Sequence, residues 1–551
     1  MHVKKPNWKS NNGKTYQSVW LCESYRESGK SKTRYVANLK NCQPREIAAL
    51  EFALAHADDI DKFVHKDKVS LQQGRSVGAV WVVCKTAERL GITKALGQGF
   101  QAQLALWQIV ARVIEQGSRL SAVRLHEVHA LADTIGLQRG FDENDLYENL
   151  AWLTENQDKI EERLFKERHS FEKPILFLYD VTSSYLEGDH NVLAAYGYNR
   201  DGKKGKKQIV IGLLCDAEGE PLSVQVFTGN TQDVKTFSDQ VKKVGNRFGC
   251  RQVTFVGDKG MIKSGQIEEL SEEGFNYISS LTRAQMETLL REDILQMELF
   301  DKDVCEVAHD GVRYVLRRNP YRAEELAATR SDKEAAIKAF MAKQNAYLAE
   351  HPRARIEVAR RRVEEKIERL KCDRWLRVCL EERTLTLRCD EAALQDMERL
   401  DGCYVIRTDL PASEADTDTV HARYKDLAKV ESAFRVSKTG HLELRPIYVR
   451  SEASTRGHVF VVMLAYIIRR RLEGAWRDID MTVEEGLDAL KTLCCMEMKM
   501  PSCMSVHSIP KPTNVIKELI DALEIRMPKA LTNRAVKVGT RKKLPEQRVS
   551  S

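Results

Sequence analysis

Between Pro174 and Asp258 the chain passes through four short apolar runs, ILFLYD, KQIVIGLLCD, EPLSVQVFTGN and QVTFVGD, each too brief for a helix and suited to a strand. The turn-forming Ala217-Glu218-Gly219 separates the second run from the third. A helical pattern from about Asp233 to Val244 lies between the third and the fourth, so the order is β-β-β-α-β. That order constrains geometry. A strand, a helix and a returning parallel strand form a right-handed crossover, which can lay the fourth strand beside the first. In open α/β sheets, chemistry gathers at the carboxyl ends of such strands. Asp180 ends the first run and Asp258 ends the fourth, so two carboxylates distant in sequence are expected as neighbours in space.

The flanking sequence supplies the boundaries. Residues 1–65 read as a β-hairpin, from Tyr16, Val19, Trp20, Tyr35 and Val36 around a turn near Gly29, followed by a helix from Pro44 to Val64. Residues 66–170 read as all-α, with apolar positions at three and four spacing in ALWQIVARVI and LYENLAWL. The strand pattern fills 171–281, with a helix near Lys263 to Glu273 and a fifth strand, FNYISSL. An insertion over 282–400 follows, carrying a charged two-helix arm from Arg322 to Lys371 broken at Pro352. GCYVIRTDL returns the chain to the sheet over 401–480, with a helix starting near Tyr424 and a long apolar helix from Arg456 to Glu473. Residues 481–551 read as a helix around Val483 to Met498 and a basic tail, expected to be mobile from Lys529 onward.

Composition excludes several classes. The net charge of +7, from 87 Lys and Arg against 80 Asp and Glu, argues only weakly for a polyanionic partner. Local runs say more: Arg200 to Lys207, Arg360-Arg361-Arg362, Arg469-Arg470-Arg471 and Arg541-Lys542-Lys543 can each track phosphates, or lie as solvated faces and tails. The 13 cysteines form no C-x-x-C ladder, so neither a disulfide framework nor a zinc site is indicated. The N-terminus lacks an apolar leader, and Val459 to Ile468 is half the roughly 20 residues a membrane span needs, so a cytoplasmic protein without a membrane partner is expected.

A third acid comes from YKDLAKVESAFRVSKT. There Leu427, Val430 and Phe434 recur at core spacing, while Glu431, Arg435 and Lys438 share another face. Taken alone, this is also what an i,i+4 ion pair looks like. Three carboxylates packed together without counter-charge would raise one another's pKa. Hard divalent cations remove that conflict. Magnesium takes carboxylate, water and phosphate oxygens, and a pair of such ions suits in-line displacement at phosphorus.

These residues resemble the bacterial insertion-sequence DDE transposases, specifically the branch whose third motif is YREK. Tyr424, Leu427, Glu431 and Lys438 hold that spacing, with Leu427 where the motif has Arg. YDVTSSYLEG, GNTQDVKTF and VGDKGM are further blocks of the likeness, which spans Pro174 to about Glu473. The resemblance implies an RNase H-like mixed sheet (β-β-β-α-β-α-β-α) interrupted by the insertion, and a metal-dependent enzyme that cleaves and transfers DNA strands. It also implies Asp180, Asp258 and Glu431 as catalytic residues and ligands of two Mg2+ ions, with Mn2+ able to substitute. Tyr424 and Lys438 would contact DNA phosphates, positioning rather than reading sequence; Arg435 joins them from the helical face. Implied partners are double-stranded DNA, as transposon-end inverted repeats and target, and a second copy in a homodimeric synaptic complex at the bacterial nucleoid. Residues 66–170 would bind the DNA ends.

The loop AYGYNRDGKKGKK combines Tyr196 and Tyr198 with Arg200, Lys203, Lys204, Lys206 and Lys207, a composition suited to stacking on bases and neutralising backbone, or to a charge-protected hairpin edge. It is no P-loop, since it precedes a strand and has no Ser or Thr after Lys. Asp233 reads as a helix-start residue. His126 and His129 lack metalloprotease spacing, and His458 reads as a buried, hydrogen-bonded histidine. A nuclease or resolvase of the same fold, or an inactive DNA-binding relative, would share most of these features.

Overall fold

The computed structural model describes residues 1–10, 12–58, 70–188, 190–302, 304–438, 442–499, 505–532 and 536–541. Two compact units emerge. The first takes Met1–Arg75, Cys494–Lys511 and Pro528–Asn533. Its hairpin pairs Trp20–Glu27 with Lys30–Asn38 around Ser28 and Gly29, both at positive φ, the backbone that a tight two-residue turn requires. A helix follows over Pro44–Ala55, ending before the expected Val64, and 59–64 lie outside the described residues. CCMEMK, expected to be helical, is a strand, Cys494–Lys499, paired with Ser505–Ser508. Sheet pairing overrides the helical reading of that segment.

The second unit is built on a mixed eight-stranded sheet. Its strands are β1 (Leu176–Tyr185), β2 (Gln208–Cys215), β3 (Pro221–Thr228), β4 (Thr254–Gly257), β5 (Asn276–Ser280), β6 (Cys305–His309), β7 (Val312–Arg318) and β8 (Cys403–Thr408). Across the sheet they lie in the order β6-β7-β8-β5-β4-β1-β2-β3. β4 runs parallel to both β1 and β5, and the remaining pairs are antiparallel. All eight residues of β2 are buried, which is why its sequence is apolar without alternation.

The helices are α1 (Phe100–Ile114), α2 (Glu143–Arg168), α3 (Asp233–Lys242), α4 (Ser264–Glu272), α5 (Pro320–Glu350), α6 (Ile356–Arg369), α7 (Thr417–Lys425), α8 (Leu427–Lys438) and α9 (Glu452–Ala475), with shorter helices between. One aromatic core joins Phe177, Tyr179 and Phe255 of the sheet to Phe237 of α3, and Phe165 of α2 stacks on Phe248 at 4.2 Å. The apolar α9 packs against α1, α2 and β3. Crossing α2 so closely needs Gly457, because a Cβ there would stand 2.1 Å from the Leu150 carbonyl oxygen. Among the described residues, no helix is long and apolar enough to cross a membrane.

The insertion differs from expectation at its start. Rather than leaving the sheet at once, it adds β6 and β7, joined by Asp310 and Gly311, both at positive φ. Asp-Gly between alternating segments is a strong hairpin signal, and it marks this turn. The arm itself is α5 and α6, closed by a hairpin (Leu376–Glu381 with Thr384–Cys389) around a small core that includes Ile337, Val363 and Trp375. The basic tail is also less free than expected over 536–541. Gly539 donates to the Phe141 carbonyl and the Arg541 N–H to Glu143, while the Arg541 guanidinium pairs with Asp142 at the start of α2. Lys542 and Lys543 lie outside the described residues.

Candidate active site

Register brings the first two acids together. Tyr179 of β1 pairs with Gly257 of β4 in parallel, so Asp180 and Asp258 follow at the next step of adjoining strands, about 4.8 Å apart in the pairing direction. Asp180 does not end its strand as expected: β1 continues to Tyr185, paired with β2 once β4 has stopped. The third acid comes from α8, which packs on β1 with Val430 and Phe434 buried and Glu431 exposed. Asp180, Asp258 and Glu431 all line one cleft of about 1000 Å³.

The acids interact across that cleft. Burial raises the Asp180 carboxyl to about 7, opposed by a hydrogen bond from the Val181 N–H, and the negative charges of Glu431 and Asp258 push it further up. Each aspartate accepts the N–H of its own successor, Val181 and Lys259 respectively, at 2.7 Å. Among the described residues, no three His, Cys, Asp or Glu side chains are drawn close enough to hold an ion. The donor set, three carboxylates on one wall, is what a hard divalent cation prefers.

Tyr424 is the last residue but one of α7, and α8 begins separately after Asp426, so the expected single helix is two. No Gly or Pro marks the break, and apolar periodicity runs across it. The Tyr424 hydroxyl donates to Ser280 Oγ at 2.8 Å. Burial pushes its pKa up to about 12, Ser280 opposes that, and Asp258 and Glu431 add to the rise, so it faces the same acids. Leu427, where the motif has Arg, lines the cleft. Arg435 is exposed on the cleft wall and reaches Ser432 Oγ at 3.2 Å.

Lys438 departs from expectation. Instead of standing free for a phosphate it is buried, with Nζ 2.9 Å from Asp201 Oδ1 and 2.6 Å from Thr182 Oγ1. Burial lowers its pKa and Asp201 raises it. The loop lysines also divide: Lys203 and Lys204 are exposed, Lys206 pairs with Glu187 at 2.6 Å, and Lys207 lies over the Tyr196 ring. Tyr196 and Tyr198 are 66% and 81% exposed, with Arg200 lying over the Tyr198 ring.

Sequence reasoning gave no role to Arg445 or Asp201, nor to Arg283 and Arg322 at the root of the insertion, all of which line the cleft. Asp233 also lines it and, besides starting α3, takes one Arg200 nitrogen on both carboxylate oxygens, at 2.9 and 2.7 Å. The Arg200-to-Lys207 cluster carried the only signal for this pairing.

The other basic runs are largely spent. Arg469 pairs with Glu484, and Arg470 donates to the Glu218 carbonyl. Arg360 and Arg361 pair with Glu364 and Glu365 one turn on. His458 is buried with Nδ1 2.9 Å from Arg119, and burial holds its pKa well below the usual value. His129 is buried beside Glu115.

Comparison with known proteins gives the family. Residues 172–468, over half the chain, match the transposase DDE domain, and residues 3–63 match the IS1634 family transposase N-terminal domain. No curated protein matches. Among solved structures, the chain is similar to a piggyBac transposase synaptic complex with hairpin DNA, at 9% identity and a TM-score of 0.35, over 75% of this chain and 76% of that one. It is also similar to a Mos1 transposase paired-end complex with the left transposon end, at 12% identity and a TM-score of 0.15, over 32% and 57%. The chain belongs to the DDE transposase family: it is an insertion-sequence transposase, an enzyme that cleaves and transfers DNA strands.

Proposed function

We propose that Asp180, Asp258 and Glu431 are the catalytic acids and together hold two magnesium ions, with manganese able to substitute, at a DNA phosphodiester. The observation that carries this is the register pairing Tyr179 with Gly257 beneath a helix that brings Glu431 to the same cleft wall. When bound, the ions supply the positive charge that activates the attacking oxygen and offsets the leaving one. The chain's own residues do the rest. Asp180, Asp258 and Glu431 would offer their carboxylate oxygens to the ions, Tyr424 stays protonated and donates a hydrogen bond, and Arg435 neutralises phosphate at the cleft edge.

The strand order β3-β2-β1-β4-β5, with β2 antiparallel to its neighbours, supports an RNase H-like catalytic core extended by β8, β7 and β6. The spacing of Tyr424, Glu431 and Lys438 supports the YREK branch, with Leu427 as the departure. Double-stranded transposon ends and target DNA are the substrates. Lys203, Lys204, Lys206 and Lys207 contact backbone, the region over 66–170, in which Ser70–Ser76 is a strand rather than helix and the helices begin at Gly78, binds the ends, and two copies synapse them at the nucleoid.

A duplex carrying a pre-cut 3′-hydroxyl end, incubated with target DNA and Mg2+, tests strand joining apart from cleavage. Joined product is expected. Hydrolysis of an uncut end without any joining would instead identify a nuclease.

A further inference from the structure

Asp201 sits in the loop between β1 and β2, yet its side chain is only 1% exposed. Groups from three distant places converge on that carboxylate. Lys438 Nζ at 2.9 Å and Arg445 Nη1 at 2.6 Å share Oδ1, and the Tyr185 N–H reaches Oδ2 at 3.0 Å. Lys438 also donates to Thr182 Oγ1 at 2.6 Å. Thr182 lies two residues beyond Asp180 on β1, and the period of a strand turns both side chains to the same face. Lys438 lies two helical turns beyond Glu431 on α8, again on one face. The line Asp201–Lys438–Thr182 therefore fastens the far end of the helix bearing Glu431 to the strand bearing Asp180.

The charge balance is uneven in a useful way. One carboxylate holds two cations, so a positive surplus remains at the cleft, where Arg445 is 29% exposed and faces the same space as the acids. Nothing else with a negative charge is hydrogen-bonded to Lys438 among the described residues. Without Asp201 its ammonium would be buried against Thr182 alone, and a buried unpaired cation turns toward any anion or water within reach. It would leave Thr182, and α8 would lose its fixed seat on β1.

We propose that Asp201 is a positioning residue of the transposase, one that holds Lys438 on Thr182 and thereby sets Glu431 against Asp180. The inference rests on the reading of those acids as the active site. It reassigns Lys438 from a free phosphate contact to a brace between helix and strand. A displacement of 1 Å at a catalytic group can cost about 100-fold in rate, so a brace of this kind is legible in turnover.

The test is cleavage of end duplex at saturating DNA by Asp201→Asn, Lys438→Met and the double variant, with DNA affinity and melting temperature measured on each and Glu431→Gln as control. The expected result is that each single variant loses about tenfold or more in rate while its Kd for DNA moves less than about threefold, and that the double variant is no slower than Lys438→Met. Cleavage by Asp201→Asn within about twofold of the parent would overturn the proposal, as would a double variant about tenfold slower than Lys438→Met. If Asp201→Asn alone fails to fold, the double variant against Lys438→Met decides. A double variant that also fails to fold counts against the proposal, because it shows that Asp201 is needed for something other than holding Lys438. Retention of cleavage in Glu431→Gln would remove the active-site reading itself.

Discussion

Asp180 and Asp258 occupy the same step of two neighbouring parallel strands, because Tyr179 pairs with Gly257 one residue earlier. The relationship is fixed by backbone hydrogen bonds, not by the side chains themselves. β4 stops at Gly257 while β1 continues, so one aspartate stands on a strand and the other at the mouth of a loop. Burial then separates their chemistry: Asp180 is held partly neutral, whereas Asp258 is exposed.

The exposed lysines of the loop between β1 and β2 should set affinity rather than rate. Replacing Lys203 and Lys204 together by Gln is expected to flatten the dependence of log Kd on log salt by up to about 2, at roughly 0.9 for each phosphate no longer neutralised. Cleavage at saturating DNA should be unchanged. Lys206→Gln should do less, since Glu187 already holds that ammonium at 2.6 Å. Fluorescence anisotropy across a salt series measures both variants, and an unchanged slope in the double variant would argue against a role in DNA binding.

The crossing of α9 over α2 depends on an absent side chain. Gly457→Ala would drive a methyl to 2.1 Å from the Leu150 carbonyl oxygen, a backbone atom that cannot step aside. A loss of about 3 kcal/mol or more is expected, read as a lower denaturation midpoint. Gly474→Ala, on the same helix with nothing within 4 Å, should be neutral or slightly stabilising.

A pH effect arises away from the cleft. Burial raises the Asp216 carboxyl to about 6, against hydrogen bonding from the Glu220 N–H and with the charges of Glu220 and Glu218 adding to the rise. An acid whose pKa is higher folded than unfolded contributes stability at low pH and loses it as pH climbs through the folded value. Asp216→Asn keeps an oxygen to accept from Glu218 and Glu220 and removes the charge. It should melt above the parent at pH 8, by no more than about 3 kcal/mol of stability. The two should converge near pH 4, as thermal scans across that range will report.

Most of the strand pattern was legible because buried strands leave unbroken apolar runs, as in QIVIGLLC, and the crossover rule then seats β4 beside β1. Asp180 and Asp258 follow from those two facts. Glu431 did not follow from periodicity alone, which admits an ion pair equally well; motif spacing supplied it. What escaped was long-range. The buried Lys438 pairs with Asp201, which no local pattern links to it. CCMEMK becomes a strand only because partners are available. Asp310-Gly311 did carry a hairpin signal, hidden within a segment whose charge suggested only an arm.

Asp180→Asn, Asp258→Asn and Glu431→Gln, each assayed for cleavage of end duplex in Mg2+ with DNA binding and folding checked in parallel, address whether three acids form one catalytic centre. Each substitution alone should lower the rate by about a thousandfold or more while leaving affinity and melting temperature near those of the parent, because groups that act as a unit fail together. Any one of the three retaining cleavage within about tenfold of the parent would show that its carboxylate lies outside the centre.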